Sequence, residues 1–322
     1  MKKIMFKLVS TLFLVITLCL PIMGYATQTT FVDNDITYLI TVPENLVGGV
    51  SGEVSAIDYD SRGGSVVVIP DTVDNATVTY AVTSIGDNAF QSDNLTSVTI
   101  SNGVTSIGIA AFNSNNLTSI TIPNSVTNIG RSAFTYNNLE SVVIPNSVTN
   151  LGDAAFAANS LTNVVISNKI KKIGVNVFKN NELTGVVIPN GITDIGGDAF
   201  RGNALASITI PNSVISIDFG AFRGNSLSTV ILGTSVASIG VNAFASNNIE
   251  NIDIPSSVTT IENYAFYNNN ITNVIIPSSV VSIGDGAFYD NNLSSVTSEG
   301  TVPPTISASG AMYDTFGAIR YD

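Results

Sequence analysis

Few side chains in this chain could carry out chemistry. Its 322 residues include no histidine, no tryptophan and one cysteine, Cys19, so the commonest general bases and nucleophiles are missing. Carboxylate pairs remain, such as Asp194 with Asp198 and Asp285 with Asp290, and paired carboxylates can act as acid and base. Scattered acidic residues are more typical of a solvated surface, and neither a phosphate-binding loop nor metal-ligand spacing accompanies them. We therefore expect a protein that is not an enzyme and uses no cofactor or metal.

The first 26 residues have the composition of a secretory signal peptide. Three lysines precede an apolar run from Leu8 to Leu20, and Gly24 and Ala26 place small residues where a signal peptidase cleaves. We expect residues 1–26 to be removed after Ala26 and the mature protein to be secreted or held at the cell surface. A retained membrane anchor is the alternative, but Pro21 interrupts a run that is already short for a bilayer. The mature chain is then expected to contain no disulfide and no membrane span.

Charge is unevenly distributed along an acidic chain. The net charge is −12, and loss of the signal segment, which has three lysines and no acid, leaves nine basic and 24 acidic residues. Such a chain is a poor general binder of nucleic acid, whose phosphates attract lysine and arginine. Six of the nine basic residues lie within a short stretch: Lys169, Lys171, Lys172, Lys179, Arg201 and Arg223. We interpret them either as a patch that binds an anion or an acidic partner, or as solvated charges.

A phenylalanine recurs every 22 residues through most of the chain. The ten positions are Phe90, Phe112, Phe134, Phe156, Phe178, Phe200, Phe222, Phe244, Phe266 and Phe288. A fixed period of roughly 20 to 50 residues indicates a solenoid, in which each unit stacks on the next. We therefore expect ten units in residues 81–298, an N-terminal strand-rich cap in 27–80 and a C-terminal cap or tail in 299–322. A small separate binding domain is the alternative for residues 27–80.

The apolar positions of each unit predict which side chains face inward. Counted from the phenylalanine, positions +8 and +10 are mostly Val or Ile and are usually followed by Pro, which predicts a short strand that ends at the proline. Positions +14 and +17 supply a second inward-facing pair, usually followed by glycine. The Ala and Phe that end the unit are expected on a helical turn too short to be stable alone.

The order Leu-x-x-Val-x-Ile within each unit, as in Leu117–Gly130, resembles the BspA-like branch of the leucine-rich repeat proteins. The resemblance covers Val82–Val296, although the commoner family unit is one residue longer and often has cysteine where this chain has paired asparagines. It implies a β-rich α/β repeat solenoid, wound as a right-handed superhelix, with one continuous parallel sheet and short helical turns or second strands opposite. It also implies adhesion to matrix proteins or to other cells.

A column of asparagines, meaning residues at one position in successive units, occupies position +3. Its members are Asn115, Asn137, Asn159, Asn181, Asn203, Asn225, Asn247, Asn269 and Asn291, with Asp93 in the first unit. A buried amide can hydrogen bond to the backbone of neighbouring units, and asparagine tolerates tight turns. We interpret the column as structural; the alternative, glycan attachment at sequons such as Asn94 and Asn116, requires a eukaryotic host.

Two further columns could contact a partner. Positions +7 and +9 point outward from the predicted strand and are small and nearly uncharged, with Val143, Val165 and Val187 at the middle. These valines form either a broad protein-binding stripe or regular filler of the sheet. Tyr267 and Tyr289 are either an aromatic contact near the C-terminal end or drift within the repeat.

Together these features favour an exported protein that binds other proteins, with an extracellular matrix or cell-surface protein as the expected partner. Two other functions stay open. The plain sheet face would suit a passive structural spacer, whereas exposed tyrosines would suit a carbohydrate-binding module.

Overall fold

The structure is a computed structural model that describes residues 30–42, 52–60, 64–76 and 78–306. The expected signal peptide (1–26) and most of the expected C-terminal tail (307–322) lie outside these residues. The described chain is a β-solenoid of about ten turns with parallel sheets, as the 22-residue period predicts.

The described residues form 23 short strands. They are β1 (Thr30–Asp33), β2 (Ile36–Val42), β3 (Glu53–Tyr59), β4 (Val66–Ile69), β5 (Thr72–Asn75), β6 (Val78–Ile85), β7 (Ser97–Ile100), β8 (Ser106–Ile107), β9 (Asn128–Ile129), β10 (Ser141–Val143), β11 (Asn150–Leu151), β12 (Asn163–Val165), β13 (Lys172–Ile173), β14 (Asp194–Ile195), β15 (Ser207–Thr209), β16 (Ser216–Ile217), β17 (Thr229–Ile231), β18 (Ser238–Ile239), β19 (Thr260–Ile261), β20 (Asn273–Ile276), β21 (Ser282–Ile283), β22 (Ser295–Ser298) and β23 (Thr305–Ile306).

Each unit contributes to three sides of the solenoid. Strands at positions +7 to +10 form the strand face, and two-residue strands at +16 and +17 form the second wall. The four-residue turns around each phenylalanine, from position −2 to +2, form the turn face. Pairing between units is parallel and shifts by one repeat, so Val142 lies opposite Val164 on the strand face and Ile217 opposite Ile239 on the second wall.

The expectation of one continuous sheet on the strand face is wrong. That face consists of separate pairs, namely β4–β7, β10–β12, β15–β17 and β20–β22. The second wall is more continuous, running β6–β8–β9–β11 and then β13–β14–β16–β18–β19–β21–β23. Gly185 occupies one interruption of the strand face, where a residue without a side chain weakens strand pairing. Of the two predicted possibilities for the opposite side, the second strands are present; no helix occurs among the described residues.

The predicted core is confirmed. All ten repeat phenylalanines are fully buried, at 0 % exposure, and neighbouring rings stack with centroids 5.2 to 6.1 Å apart. In a representative unit, Val142 and Ile144 face inward from the strand face, while Val148 and Leu151 face inward from the second wall. One unit could not bury these groups, because each ring is covered by the rings above and below it.

The asparagine column bridges successive units, as predicted. The amide of Asn137 donates to the carbonyl oxygens of Phe112 and Phe134, at 2.9 and 3.3 Å. Its oxygen Oδ1 accepts a hydrogen bond from the backbone N–H of Leu117, at 3.1 Å. The same three contacts recur down the column, so each amide satisfies buried backbone groups that no strand pairs. This finding supports the structural interpretation of the column.

Two residues of every unit adopt the left-handed conformation, which sequence reasoning missed. Positions −2 and +2 have positive φ in all ten units, as at Ala154 (φ 56°) and Ala158 (φ 52°). Glycine would mark such positions, since other residues adopt them at a cost. Here Ser, Ala, Asn, Asp and even Tyr occupy most of them, so the sequence carries no clear glycine signal.

The stack of units has one weak junction, which we call the seam, between the units that begin at Phe134 and Phe156. The second wall is interrupted there, since β11 and β13 do not pair. In every other repeat unit that follows another, the residue after the second-wall strand donates its N–H to the preceding unit, as Gly196 does to Ile173 at 2.8 Å. Within the described structure, Gly174 makes no such bond. The rings of Phe156 and Phe178 are also the farthest apart in the stack, at 6.1 Å.

A change of side chains accompanies the seam. Elsewhere a serine at +13 donates to a carbonyl of the preceding unit, as Ser213 does to Ile192 at 2.7 Å. At the seam Lys169 occupies +13, and Ser167, where most units have proline, donates to Val148 instead, also at 2.7 Å. Side-chain hydrogen bonds thus replace part of the backbone ladder.

The first strands join the solenoid through both parallel and antiparallel pairing. β1, β2 and β3 pair antiparallel in succession, β3 pairs parallel with β6, and β5 pairs antiparallel with β6. The ring of Tyr59 lies 5.7 Å from that of Phe90, the first ring of the stack. We propose on this basis that residues 27–80 act as a cap, since this segment covers the ring that a bare solenoid would expose.

Candidate interaction surfaces

The valine stripe lies on the strand face, as its position predicts. Val143 and Val165 are opposite each other in β10 and β12 and are 60 % and 50 % exposed, and Val187 in the next unit is 82 % exposed. The strand alternation exposes them, because the residues between them, Val142 and Val164, are buried. Three adjacent apolar side chains on an otherwise polar face give it a ready contact for another protein.

Two of the predicted basic residues meet on the turn face. Lys179 and Arg201 occupy position +1 of successive units, and both bind the carboxylate of Asp198, at 2.7 Å to Nζ and 3.1 Å to a guanidinium nitrogen. Asp198 is buried, and its oxygen Oδ1 has no hydrogen-bond partner among the described residues. Because an opposite charge is already in contact, these two cations are less available to an external anion than the sequence suggests.

Arg223 follows in the same column but is not paired in this way. It is half-buried, and no ion pair joins it to any residue that the structure describes. The position that corresponds to Asp198 in its unit is Gly220.

The three lysines of the seam unit lie outside the turn face. Lys172 belongs to β13 on the second wall, and its Nζ is 3.3 Å from Oδ2 of Asp194. A hydrogen bond from Thr193 lowers the pKa of Asp194, and those from Ser216 and Lys172 lower it further against the opposing effect of burial. Lys169 and Lys171 are exposed and have no ion pair within the described ranges. The six basic residues therefore divide between two sides of the solenoid.

The tyrosines near the C-terminal end form a compact group on the turn face. The rings of Tyr267 and Tyr289 stack 5.9 Å apart at an angle of 1°, and Tyr264 meets Tyr267 edge-on. Tyr264 itself has a positive φ of 57°, and its ring lies over Gly286, where a Cβ would approach to 2.5 Å. All three rings are half-buried, so they pack on one another as well as on the surface.

The candidate carboxylate pairs show no catalytic arrangement. Asp194 and Asp198 bind different lysines on different sides of the solenoid. Burial, followed by repulsion from Asp194, raises the pKa of Asp218, which is a surface effect within an ion-pair group. No cluster of three or more metal-ligating side chains occurs among residues 30–42, 52–60, 64–76 and 78–306. Nor does any helix in these ranges have the length and apolar character needed to cross a bilayer.

Comparison with known proteins gives a consistent result. Residues 83–206 and 194–307 match the model of the BspA type leucine rich repeat region, with six copies. The pneumococcal vaccine antigen PcpA is similar in structure, with 21 % identity, a TM-score of 0.60 and coverage of 85 % of this chain and 82 % of that one. A leucine rich cell surface protein from Faecalibacterium prausnitzii aligns over 86 % of this chain and 96 % of its own, at 22 % identity and a TM-score of 0.44. No curated protein matches the sequence.

Proposed function

The chain belongs to the BspA-type leucine-rich repeat family, whose members generally bind proteins and are typically non-enzymatic, and we propose that it is an exported protein that binds an extracellular protein through its strand face. Export is supported by the signal-like sequence of residues 1–26. Matrix proteins and proteins on other cells are the proposed partners, and adhesion is the proposed consequence. The basic residues and the tyrosines of the turn face and second wall are proposed as additional contacts.

The exposed valine stripe carries this proposal. Val143, Val165 and Val187 present adjacent apolar side chains on a face of small residues. Burying them against a partner would release ordered water over a continuous area, and the nearly uncharged surroundings would cost little to desolvate. The flat, repeated geometry suits a broad contact rather than a pocket.

A binding screen with a matched control tests the proposal. The mature chain would be immobilised and exposed to purified matrix proteins and to a glycan array. A triple variant, Val143→Ser with Val165→Ser and Val187→Ser, should lose binding of the protein ligand by at least about tenfold. A control variant changes Ile215 and Val281, which are equally exposed on the second wall, to serine and should bind normally. Binding of glycans alone would favour a carbohydrate-binding module, and no binding would favour a spacer.

A further inference from the structure

Arg223 lacks the internal carboxylate that its neighbours in the column have. Lys179, Arg201 and Arg223 occupy position +1 of three successive units. Asp198 binds the first two, at 2.7 and 3.1 Å. The column thus contains three cations and one carboxylate, and the third cation has no ion pair among the described residues.

The repeat shows where a carboxylate beside Arg223 would have to come from. Each contact in a solenoid has a counterpart one unit, or 22 residues, farther along. Asp198 lies three residues before Arg201 and 19 residues after Lys179, so the equivalent positions for Arg223 are Gly220 and Asn242. Neither residue carries a charge.

Asp198 itself keeps Gly220 free of a side chain. Gly220 has a positive φ of 59°, and a Cβ placed on it would come within 2.3 Å of Oδ1 of Asp198. The carboxylate that neutralises Arg201 therefore excludes a second carboxylate beside Arg223. A half-buried guanidinium without an anion is costly to desolvate, and an external carboxylate would offset that cost.

We propose that Arg223, with Arg201 beside it, binds a carboxylate of an acidic segment in a protein partner. A guanidinium can hold a carboxylate through two parallel hydrogen bonds, and Asp198 provides the precedent on the same column. The inference rests on the proposed protein-binding function but uses the turn face instead of the strand face. A short acidic segment fits better than a long polyanion, because the remainder of this acidic chain repels extended negative charge.

The test uses the full mature chain and a fluorescein-labelled decapeptide that contains five glutamates, followed by fluorescence anisotropy at low salt. Arg223→Ser should weaken binding by about tenfold, as expected for loss of a charge-assisted contact. Asn242→Asp should weaken it similarly without removing a cation, since the new carboxylate stands to Arg223 as Asp198 stands to Lys179. Aspartate tolerates the positive φ of 57° at this position. Arg131→Ser, at an exposed arginine with no ion pair in the described part of the chain, is the control and should bind normally.

Several results would overturn the inference. These are absence of peptide binding to the native chain, unchanged binding by Arg223→Ser or by Asn242→Asp, and equal weakening by Arg131→Ser. Equally tight binding of dextran sulfate, lost in the same variants, would replace the acidic segment with a general polyanion. The valine triple variant should bind the glutamate peptide normally. Loss of matrix-protein binding in that variant with intact peptide binding therefore separates this inference from the proposed function of the strand face.

Discussion

The side-chain amide of Asn137 donates a hydrogen bond to the carbonyl oxygen of Phe112, 25 residues earlier, at 2.9 Å. This bond crosses the boundary between two units, and it leaves the backbone oxygen satisfied where no strand pairs. Asn137→Ala would leave that oxygen and the N–H of Leu117 buried without partners. We expect a loss of about 2–4 kcal/mol in the free energy of unfolding, measured with urea. Asn138→Ala, at the exposed neighbouring residue, should cost under about 0.5 kcal/mol, and equal losses would contradict the structural role of the column.

The phenylalanine stack makes a second prediction about stability. Phe200 is fully buried, with rings 5.5 Å away on one side and 5.4 Å on the other. Phe200→Ala should therefore cost about 3–5 kcal/mol, because the stacked units cannot collapse into the cavity. Phe219→Ala is the control, since Phe219 is 47 % exposed, and it should cost under about 1 kcal/mol. A small loss at Phe200 would show that the ring does not fill the core.

The period and the apolar pattern were sufficient to predict the core, but not the pairing between charged groups. Positions +8, +10, +14 and +17 face inward because strand alternation and burial act within a single unit, as at Val142 and Val148. The ion pair of Lys179 with Asp198 joins residues 19 apart in sequence. It follows from stacking, and a search for opposite charges offset by nearly one repeat would have found it.

The seam was also beyond direct prediction. Its cause is a small change in spacing, visible as the loss of backbone hydrogen bonds around Gly174. The only sequence signals were Ser167 in place of proline and Lys169 in place of serine. Those lysines drew attention as a possible anion site, whereas their position beside a broken ladder depends on three-dimensional geometry.

The left-handed turns predict where glycine would stabilise the protein. Ala158 has a φ of 52°, and glycine occupies the equivalent position at Gly202 and Gly224. Ala158→Gly should raise the free energy of unfolding by about 0.5–1 kcal/mol, since relief of strain exceeds the added entropy of the unfolded chain. Ala157→Gly, at a neighbour without a positive φ, should lower it by about 1 kcal/mol. Equal effects of the two changes, measured by urea unfolding, would argue against strain at Ala158.

The seam should be visible in amide hydrogen exchange. Lys171 and Gly174 make no backbone bond to the preceding unit, whereas their equivalents Thr193 and Gly196 each donate to the unit before at 2.8 Å. We expect the amides of Lys171 and Gly174 to exchange at least about tenfold faster than those of Thr193 and Gly196. Nuclear magnetic resonance after transfer into deuterated water gives the individual rates. Equal protection of the two pairs would mean that the ladder is continuous in solution.

Asp93 links the repeat to pH. It stands where nine other units have asparagine, and burial, followed by repulsion from Asp58, raises its pKa. Ionised Asp93 therefore opposes folding at neutral pH, and its contribution becomes more favourable as pH falls through the raised folded pKa toward the value in the unfolded chain. Asp93→Asn removes this charge, and its amide could donate to the carbonyl oxygen of Phe90 as its counterparts do.

The variant should consequently be more stable than the native chain by about 1 kcal/mol at pH 7, the worth of one added hydrogen bond. The advantage should shrink at pH 3.5, where Asp93 in the native chain is protonated. Urea unfolding of both proteins at the two pH values measures the difference directly, and other carboxylates cancel because both chains share them. Asp87→Asn, an exposed change nearby, is the control and should show no such pH-dependent difference. A constant difference for Asp93→Asn across the two pH values would mean that burial, and not charge, decides the cost of aspartate in this column.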